Sequence, residues 1–282
     1  MSAPLSCTVR ACGAPLMRVD RSYICSHGHT FDIARSGYVS LLQPQDRKSL
    51  DAGDSRDAVR ARSALVAAGV GTPLTDAIIT RLSTRPCPTP LPVVVELGCG
   101  GGELLGQLAQ ARDITGVGID LSTAAASDAA RHSPALTWVV ANADRRLPIL
   151  DASVDVVLSV HARRNPAECR RVLRPSGWLL VAVPAANDLM QLRSLVQGEA
   201  VARERTAQLI AEHAPWFTVA EQTSVEQTLH LDREALHQLL RGTYRGERLS
   251  QAPQVQALDH LTVTLASDVV IFTPRPEDST LV

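Results

Sequence analysis

Val93-Val94-Val95-Glu96-Leu97-Gly98-Cys99-Gly100-Gly101-Gly102 carries the most information in this chain of 282 residues. Its first half reads as a β-strand buried on both faces, because β-branched residues follow one another with no polar alternation. Its second half reads as a turn in which the backbone can approach a nucleotide-like ligand, since glycine has no Cβ and accepts positive φ. The spacing narrows the choice of ligand. A dinucleotide fingerprint G-x-G-x-x-G would need its third glycine at position 103, where Glu103 stands. The pattern present is E-x-G-x-G-x-G, from Glu96 to Gly102.

Strands and helices alternate downstream of this turn. Apolar runs predict strands at 93–97, 115–119, 137–140, 154–158 and 178–183, with helices at about 103–112, 122–131 and 166–173. Such β-α-β alternation implies a parallel sheet covered on both faces. The last apolar stretch, His260 to Pro274, reads as a closing antiparallel strand. Upstream, Asp57 to Gly69 reads as an Ala-rich helix stopped by glycine, a second helix spans about 72–82, and Pro86 to Pro92 reads as a stiff extended linker. Residues 1–45 lack helical periodicity and hold three of the six cysteines. The organisation expected is therefore a small module at 1–45, a helical linker at 46–85 and an α/β domain at 86–282.

Composition bounds the function. The net charge of −1 gives no global basic field, and Lys48 is the sole lysine among 28 basic residues, as a high-GC codon bias would produce. No basic start leads into an apolar run and no segment approaches a membrane span, so a cytoplasmic protein with no membrane partner is expected. Its cysteines should then be reduced, buried or metal-bound.

The Glu96–Gly102 pattern resembles motif I of the Rossmann-like S-adenosylmethionine (SAM) methyltransferases. That resemblance implies that Gly98, Gly100 and Gly102 wrap the methionine part of SAM and that Glu96 anchors its ammonium. The helix from Glu103 would offer its positive end to the cofactor carboxylate. Asp120, at the end of the second strand and followed by Leu121, suits the ribose hydroxyls. After the third strand, Asn142 and Ala143 fall where an adenine contact is expected, with Asp144 as an alternative. An NAD enzyme is the competing reading, disfavoured by Glu103.

Cys7-x4-Cys12 followed by Cys25-x3-His29 has the spacing of two metal-binding knuckles, and four such ligands close a tetrahedral Zn2+ site. His27 competes with His29 from a less usual spacing. The bland alternative is unlinked buried thiols, but so short a segment needs a staple to fold.

Further words place the chain near one family. Cys12-Gly-Ala-Pro-Leu, Tyr23-Ile-Cys25-Ser-His-Gly-His29-Thr-Phe31-Asp32, Gly37-Tyr38-Val, Asp51-Ala-Gly-Asp54-Ser and Asn165-Pro166-Ala-Glu168 are similar to those of the bacterial 23S rRNA (guanine-N1)-methyltransferases. Macrolide-resistance members from antibiotic producers belong to that family. The resemblance implies a zinc-ribbon-like module that helps hold an rRNA hairpin, a SAM domain that methylates guanine N1, and a homodimer. One loop departs from the family, which usually shows an aromatic residue followed by Ala-Pro after the fourth strand. Here the words are Ser159-Val160-His161-Ala162-Arg163-Arg164. His161 is a candidate base or acceptor contact and Arg163 a candidate anion contact, each weighed against a plain solvent-facing loop. The departure leaves room for a small-molecule methyltransferase of the same descent. A zinc-ribbon RNA-binding protein with a vestigial SAM fold is a third, non-enzymatic reading, opposed by the intact glycine turn and Asp120.

Overall fold

The computed structural model describes residues 2–46, 53–85, 87, 89–197, 205–242 and 257–276. The quoted strand is β5 (Val93–Leu97), and all five of its residues are buried. It lies near the middle of an eight-stranded sheet with β6 (Thr115–Asp120), β7 (Thr137–Val140), β8 (Val154–Val160), β9 (Leu173–Pro184), β10 (Phe217–Asp232), β11 (His260–Pro274) and a short β4 (Val39–Ser40). The order is β10-β11-β9-β8-β5-β6-β7-β4. Neighbours from β9 to β4 are parallel, while β11 runs antiparallel to both β9 and β10. The predicted strands and the antiparallel closing strand are all present, and the strand expected at 178–183 begins earlier, as β9 from Leu173.

Alternation along β5 feeds two cores, as a sheet covered on both faces requires. Val93, Val95 and Leu97 pack with α5 (Pro166–Val172) and α7 (Thr206–His213) through Cys169, Val172 and Leu209. Val94 packs with α2 (Thr72–Thr84), α3 (Glu103–Ala111) and α4 (Thr123–His132) through Ile78, Leu82, Leu105, Leu108 and Ala129. A third cluster joins α1 (Arg56–Ala67), α6 (Met190–Gln197) and α8 (Arg233–Arg241) to the far end of the β10–β11 ribbon through Leu65, Leu192, Leu231, Leu236 and Val263.

Two features show how these segments pack. The residues read as a helical linker supply α1 and α2, and Ile78 and Leu82 belong to the core of the α/β domain. The N-terminal module has its own antiparallel sheet, β1 (Leu16–Val19), β2 (Ser22–Cys25) and β3 (Thr30–Asp32). It is also welded to the large sheet: β4 adds to the edge of β7, Leu5 bridges to Ile149, and Leu5, Val39 and Leu41 are buried in the first core. Lys48, Asp51, Ala52, Pro86 and Pro88, which belong to the patterns quoted above, lie outside the described residues.

Candidate active site and metal centre

The carboxyl ends of β5, β6, β7 and β8 meet at one edge, where an open α/β sheet binds its ligand. Gly98 has φ +69° and Gly102 has φ +80°; a Cβ on the first would run into Ala162 and one on the second into Trp138 and Ala129. Both positions therefore need glycine for conformation and for space. Gly100 shares the positive φ, +54°, but differs in space. Nothing lies within 4 Å of where its Cβ would stand, so the turn encloses an open cradle.

Acids surround that cradle. Asp120 accepts the Gly100 N–H at 2.9 Å on one oxygen and the Ser122 N–H at 2.8 Å on the other, leaving lone pairs for further donors. Burial raises its pKa, opposed by those two N–H groups. Glu96 is 4% exposed, and its Oε2 has no partner. Burial, with the charge of Glu103 next, lifts its pKa well above the carboxylate range, while the Leu105 N–H at the start of α3 works the other way. Gly102 caps α3 without a side chain, so the first turn keeps N–H groups free for a ligand. An open cradle, an orphaned buried carboxylate oxygen and an uncapped helix start fit the methionine end of SAM, and Asp120 fits its ribose.

Asn142 is buried and tied down at both ends. Its Oδ1 accepts the Asp144 N–H at 3.0 Å, and its amide donates to the Asp46 carbonyl at 2.9 Å. Ala143 beside it is partly buried, as is Leu121. The next residue, Ser122, donates its hydroxyl to the Asp54 carbonyl at 2.7 Å, and Asp54 pairs with Arg62 of α1. The segment entering α1 thus covers the Asp120–Ser122 turn. Sequence reading missed Asp46 and Asp54; the only signal was the word Asp54-Ser, which also supplies the Ser55 cap of α1.

The loop after β8 stands against this floor through the Ala162–Gly98 contact. His161 has φ +51°, a strained conformation for a side-chain-bearing residue. Although the residue is exposed, its Nε2 is held 2.9 Å from the buried Ser267 Oγ. Loss of ring hydration, with the Arg205 charge second, brings its pKa down to about 4 and keeps the ring neutral at pH 7. Arg163 is an exposed side chain whose guanidinium meets Asp144 at 3.3 Å. Arg164 turns inward, donating to the Ala162 carbonyl at 3.0 Å and to His213 Nε2 at 3.1 Å. Asn165 caps α5, and Glu168 accepts the Leu147 N–H at 2.8 Å, so that family word fixes the loop after β7.

In the N-terminal module the side chains of Cys7, Cys12, Cys25 and His29 bring their ligand atoms within 4.8 Å of one another. Cys12 and Cys25 sulfurs are 3.9 Å apart, and His29 Nδ1 lies 3.4 Å from both Cys7 and Cys25. A tetrahedron with metal–sulfur bonds of about 2.3 Å and a metal–nitrogen bond of about 2.0 Å has edges of about 3.5–3.8 Å, so the four donors fit Zn2+. Gly13 N–H to Cys7 O at 3.2 Å and Gly28 N–H to Cys25 O at 2.9 Å close the two knuckles. Burial pushes the Cys7 thiol up to about 12; at Cys25 burial is outweighed by N–H groups of His27 and His29, and the thiol falls to about 6. His27 reaches only the Cys12 sulfur, at 3.1 Å, and stays outside the set of four. A cavity of about 330 Å³ opens beside this cluster, between the first knuckle and Asp46, Arg146 and Leu147.

Comparison with known proteins agrees with both halves. Residues 6–50 match the family described as "RlmA, N-terminal", a zinc ribbon, and residues 94–177 match a methyltransferase domain. The chain is 37% identical over 226 residues, 80% of each protein, to the 23S rRNA (guanine(748)-N(1))-methyltransferase of Streptomyces fradiae. It is 35% identical over 250 residues, 82% of each, to a Micromonospora griseorubida protein provisionally assigned as a 23S rRNA (guanine-N(1)-)-methyltransferase. Among solved structures, a provisionally assigned methyltransferase from Bacillus halodurans C-125 superposes with a TM-score of 0.51 at 15% identity. That match covers 71% of this chain and 98% of the other, and shows the shared fold.

Proposed function

Because the chain belongs to the family of 23S rRNA (guanine-N1)-methyltransferases, we propose that it moves the methyl group of SAM to N1 of a guanine in a 23S rRNA hairpin. The observation that carries this reading is one chain holding both an intact cofactor cradle over Gly100 and a complete Cys7–Cys12–Cys25–His29 set.

SAM supplies an electrophilic methyl group on a sulfonium. The chain's residues position it and the acceptor, which is where most of the rate of an in-line displacement comes from. Glu96 would hold the ammonium, Asp120 the ribose hydroxyls, and the Asn142–Ala143 turn the adenine. The guanine is unstacked from its hairpin to reach the loop at His161–Arg163. As the N1–carbon bond forms and the carbon–sulfur bond breaks, the N1 proton becomes strongly acidic. His161, neutral at working pH and steadied through Nε2 by Ser267, is then a sufficient acceptor even with a pKa of about 4. Arg163 stands at the mouth, where a phosphate can draw it from Asp144.

Arg10 and Arg146 are exposed residues lining the cavity between the two halves, a suitable setting for RNA phosphates. Residues 1–45 therefore serve RNA recognition in this reading, and the described part of the helical linker, 53–85, borders the cofactor site. An rRNA substrate places the enzyme in the cytoplasm. Among the described residues no single helix is long and apolar enough to cross a membrane. We also propose a homodimer, on family membership, to be read by light scattering.

The test offers labelled SAM and rRNA from a strain lacking this methylation. Label should enter N1 of one guanine, and Gly100→Leu, which fills the cradle, should abolish incorporation. SAM binding without transfer to rRNA would redirect the reading to a small-molecule acceptor. Absence of SAM binding would overturn it altogether.

A further inference from the structure

Glu103 occupies the position where a dinucleotide fingerprint has its third glycine, and its side chain does not point along α3 into solvent. It folds back over the turn: Oε1 lies 2.5 Å, and Cδ 3.0 Å, from where a Cβ on Gly101 would stand. Its Oε1 also accepts the hydroxyl of Ser63, which comes from α1, 40 residues away in sequence. Glu96 begins the same turn, buried with one oxygen unpartnered, and Asp120 lies on the other side, bonded to the Gly100 N–H. Three carboxylates thus border one glycine turn. Arg62, the cation whose charge acts on Asp120, is already paired with Asp54.

A site bordered by acidic side chains, with no free cation beside them among the described residues, responds to the net charge of what it holds. At neutral pH SAM carries a sulfonium, an ammonium and one carboxylate, a net charge of +1. Its demethylated product, S-adenosylhomocysteine, is a thioether with no net charge. We propose that Glu103, held over the turn by Ser63, makes this site select the charged, methyl-bearing cofactor over the demethylated product, so that methyl transfer itself loosens the spent cofactor. Glu103 acts here as a specificity determinant and Ser63 as its positioning residue. The inference rests on the glycine turn being the SAM cradle.

Calorimetry with the full-length, zinc-loaded chain at low salt tests it, using SAM, S-adenosylhomocysteine and sinefungin, which keeps the positive charge without a transferable methyl. Removing one unit charge at close range in a partly buried site is worth about tenfold in affinity. Glu103→Gln should therefore weaken SAM and sinefungin about tenfold and change S-adenosylhomocysteine less than about threefold. The unchanged product affinity also certifies that the variant folds. Ser63→Ala should shift the SAM-to-product ratio the same way by about threefold, and Ser63→Thr, which keeps the hydroxyl, should restore it. A parallel loss for all three ligands, or no change for any, would overturn the inference while leaving the cofactor assignment intact. Failure of the unaltered chain to bind any of the three would overturn that assignment and the inference with it.

Discussion

The turn at Gly98–Gly102 ends a strand whose five residues are all buried, whereas the Cys7–Cys12–Cys25–His29 cluster serves a three-stranded sheet whose first strand leaves Met17 63% and Val19 49% exposed. Around the turn, side chains from α2, α3 and α4 hold the backbone in shape before any ligand arrives. Around the cluster the apolar support is one-sided: Leu5, Val39 and Leu41 lean on the large sheet, and the outer face of β1–β3 has no cover among the described residues. One ligand site is preorganised by packing; the other gathers four donors that a zinc ion would tie together. A core of this size can afford an unpaired buried carboxylate at Glu96, while four converging donors without a cation cannot hold a short sheet in place.

Stripping the metal should break this contrast most visibly. A structural zinc contributes on the order of 10–16 kcal/mol in small modules. Chelation, or Cys25→Ser, should abolish amide-exchange protection across residues 16–32 and lower rRNA methylation more than about a hundredfold. SAM affinity should stay within about threefold, and protection at Val39 and Leu41, anchored on the large sheet, should persist. Retained protection in β1–β3 after metal removal would refute the contrast.

Glu96→Gln sharpens the other side. A buried acid whose pKa is raised in the folded state contributes favourably below its unfolded value near 4.5, and that contribution is lost as pH rises through the folded value. Without cofactor, the variant should therefore match the parent near pH 4 and exceed it near pH 8, by roughly 2–4 °C in Tm per kcal/mol regained. SAM binding should fall at least about tenfold. A variant less stable than the parent at pH 8 would show that the carboxylate is satisfied in the free protein.

The smallest effect lies within the packed region. His213 is fully buried, stacked on Phe272 with centroids 4.9 Å apart, and accepts from Arg164 through Nε2. Burial lowers its pKa to about 4. A depressed histidine contributes stability above 6.5 that is lost as pH falls towards 4, at most about 2–3 kcal/mol here. His213→Phe should flatten the pH dependence of Tm in that window, leaving a residual slope from His161. An unchanged slope would remove His213 from the account.

Much of this was readable from local chemistry. β5, its glycine turn and α3 follow from β-branched residues, consecutive glycines and an apolar helical period, and the Cys-x4-Cys and Cys-x3-His knuckles from ligand spacing. β10 escaped because its inward positions include Glu221, Thr223 and Gln227, which meet Arg81 of α2 and the backbone at Gly69 and Gly71 through hydrogen bonds. Val225, Leu229 and Leu231 are apolar on that face, but the polar positions among them break the alternation that would mark the strand. β4 escaped because two residues carry no period at all.

The order E-x-G-x-G-x-G, an acid ending the next strand and four spaced metal ligands already specify a SAM fold with a zinc ribbon, because each depends on residues close together in the chain. Who stands beside whom at the site depends on folding. His161 meets Ser267 from 106 residues away, Asn142 meets Asp46 from 96, and Glu103 meets Ser63 from 40. Those contacts decide that the His161 ring is held in place by Ser267 and that α1 stands beside the glycine turn. Only a closed sheet with its helices in place brings such distant polar groups out of water and into each other's reach.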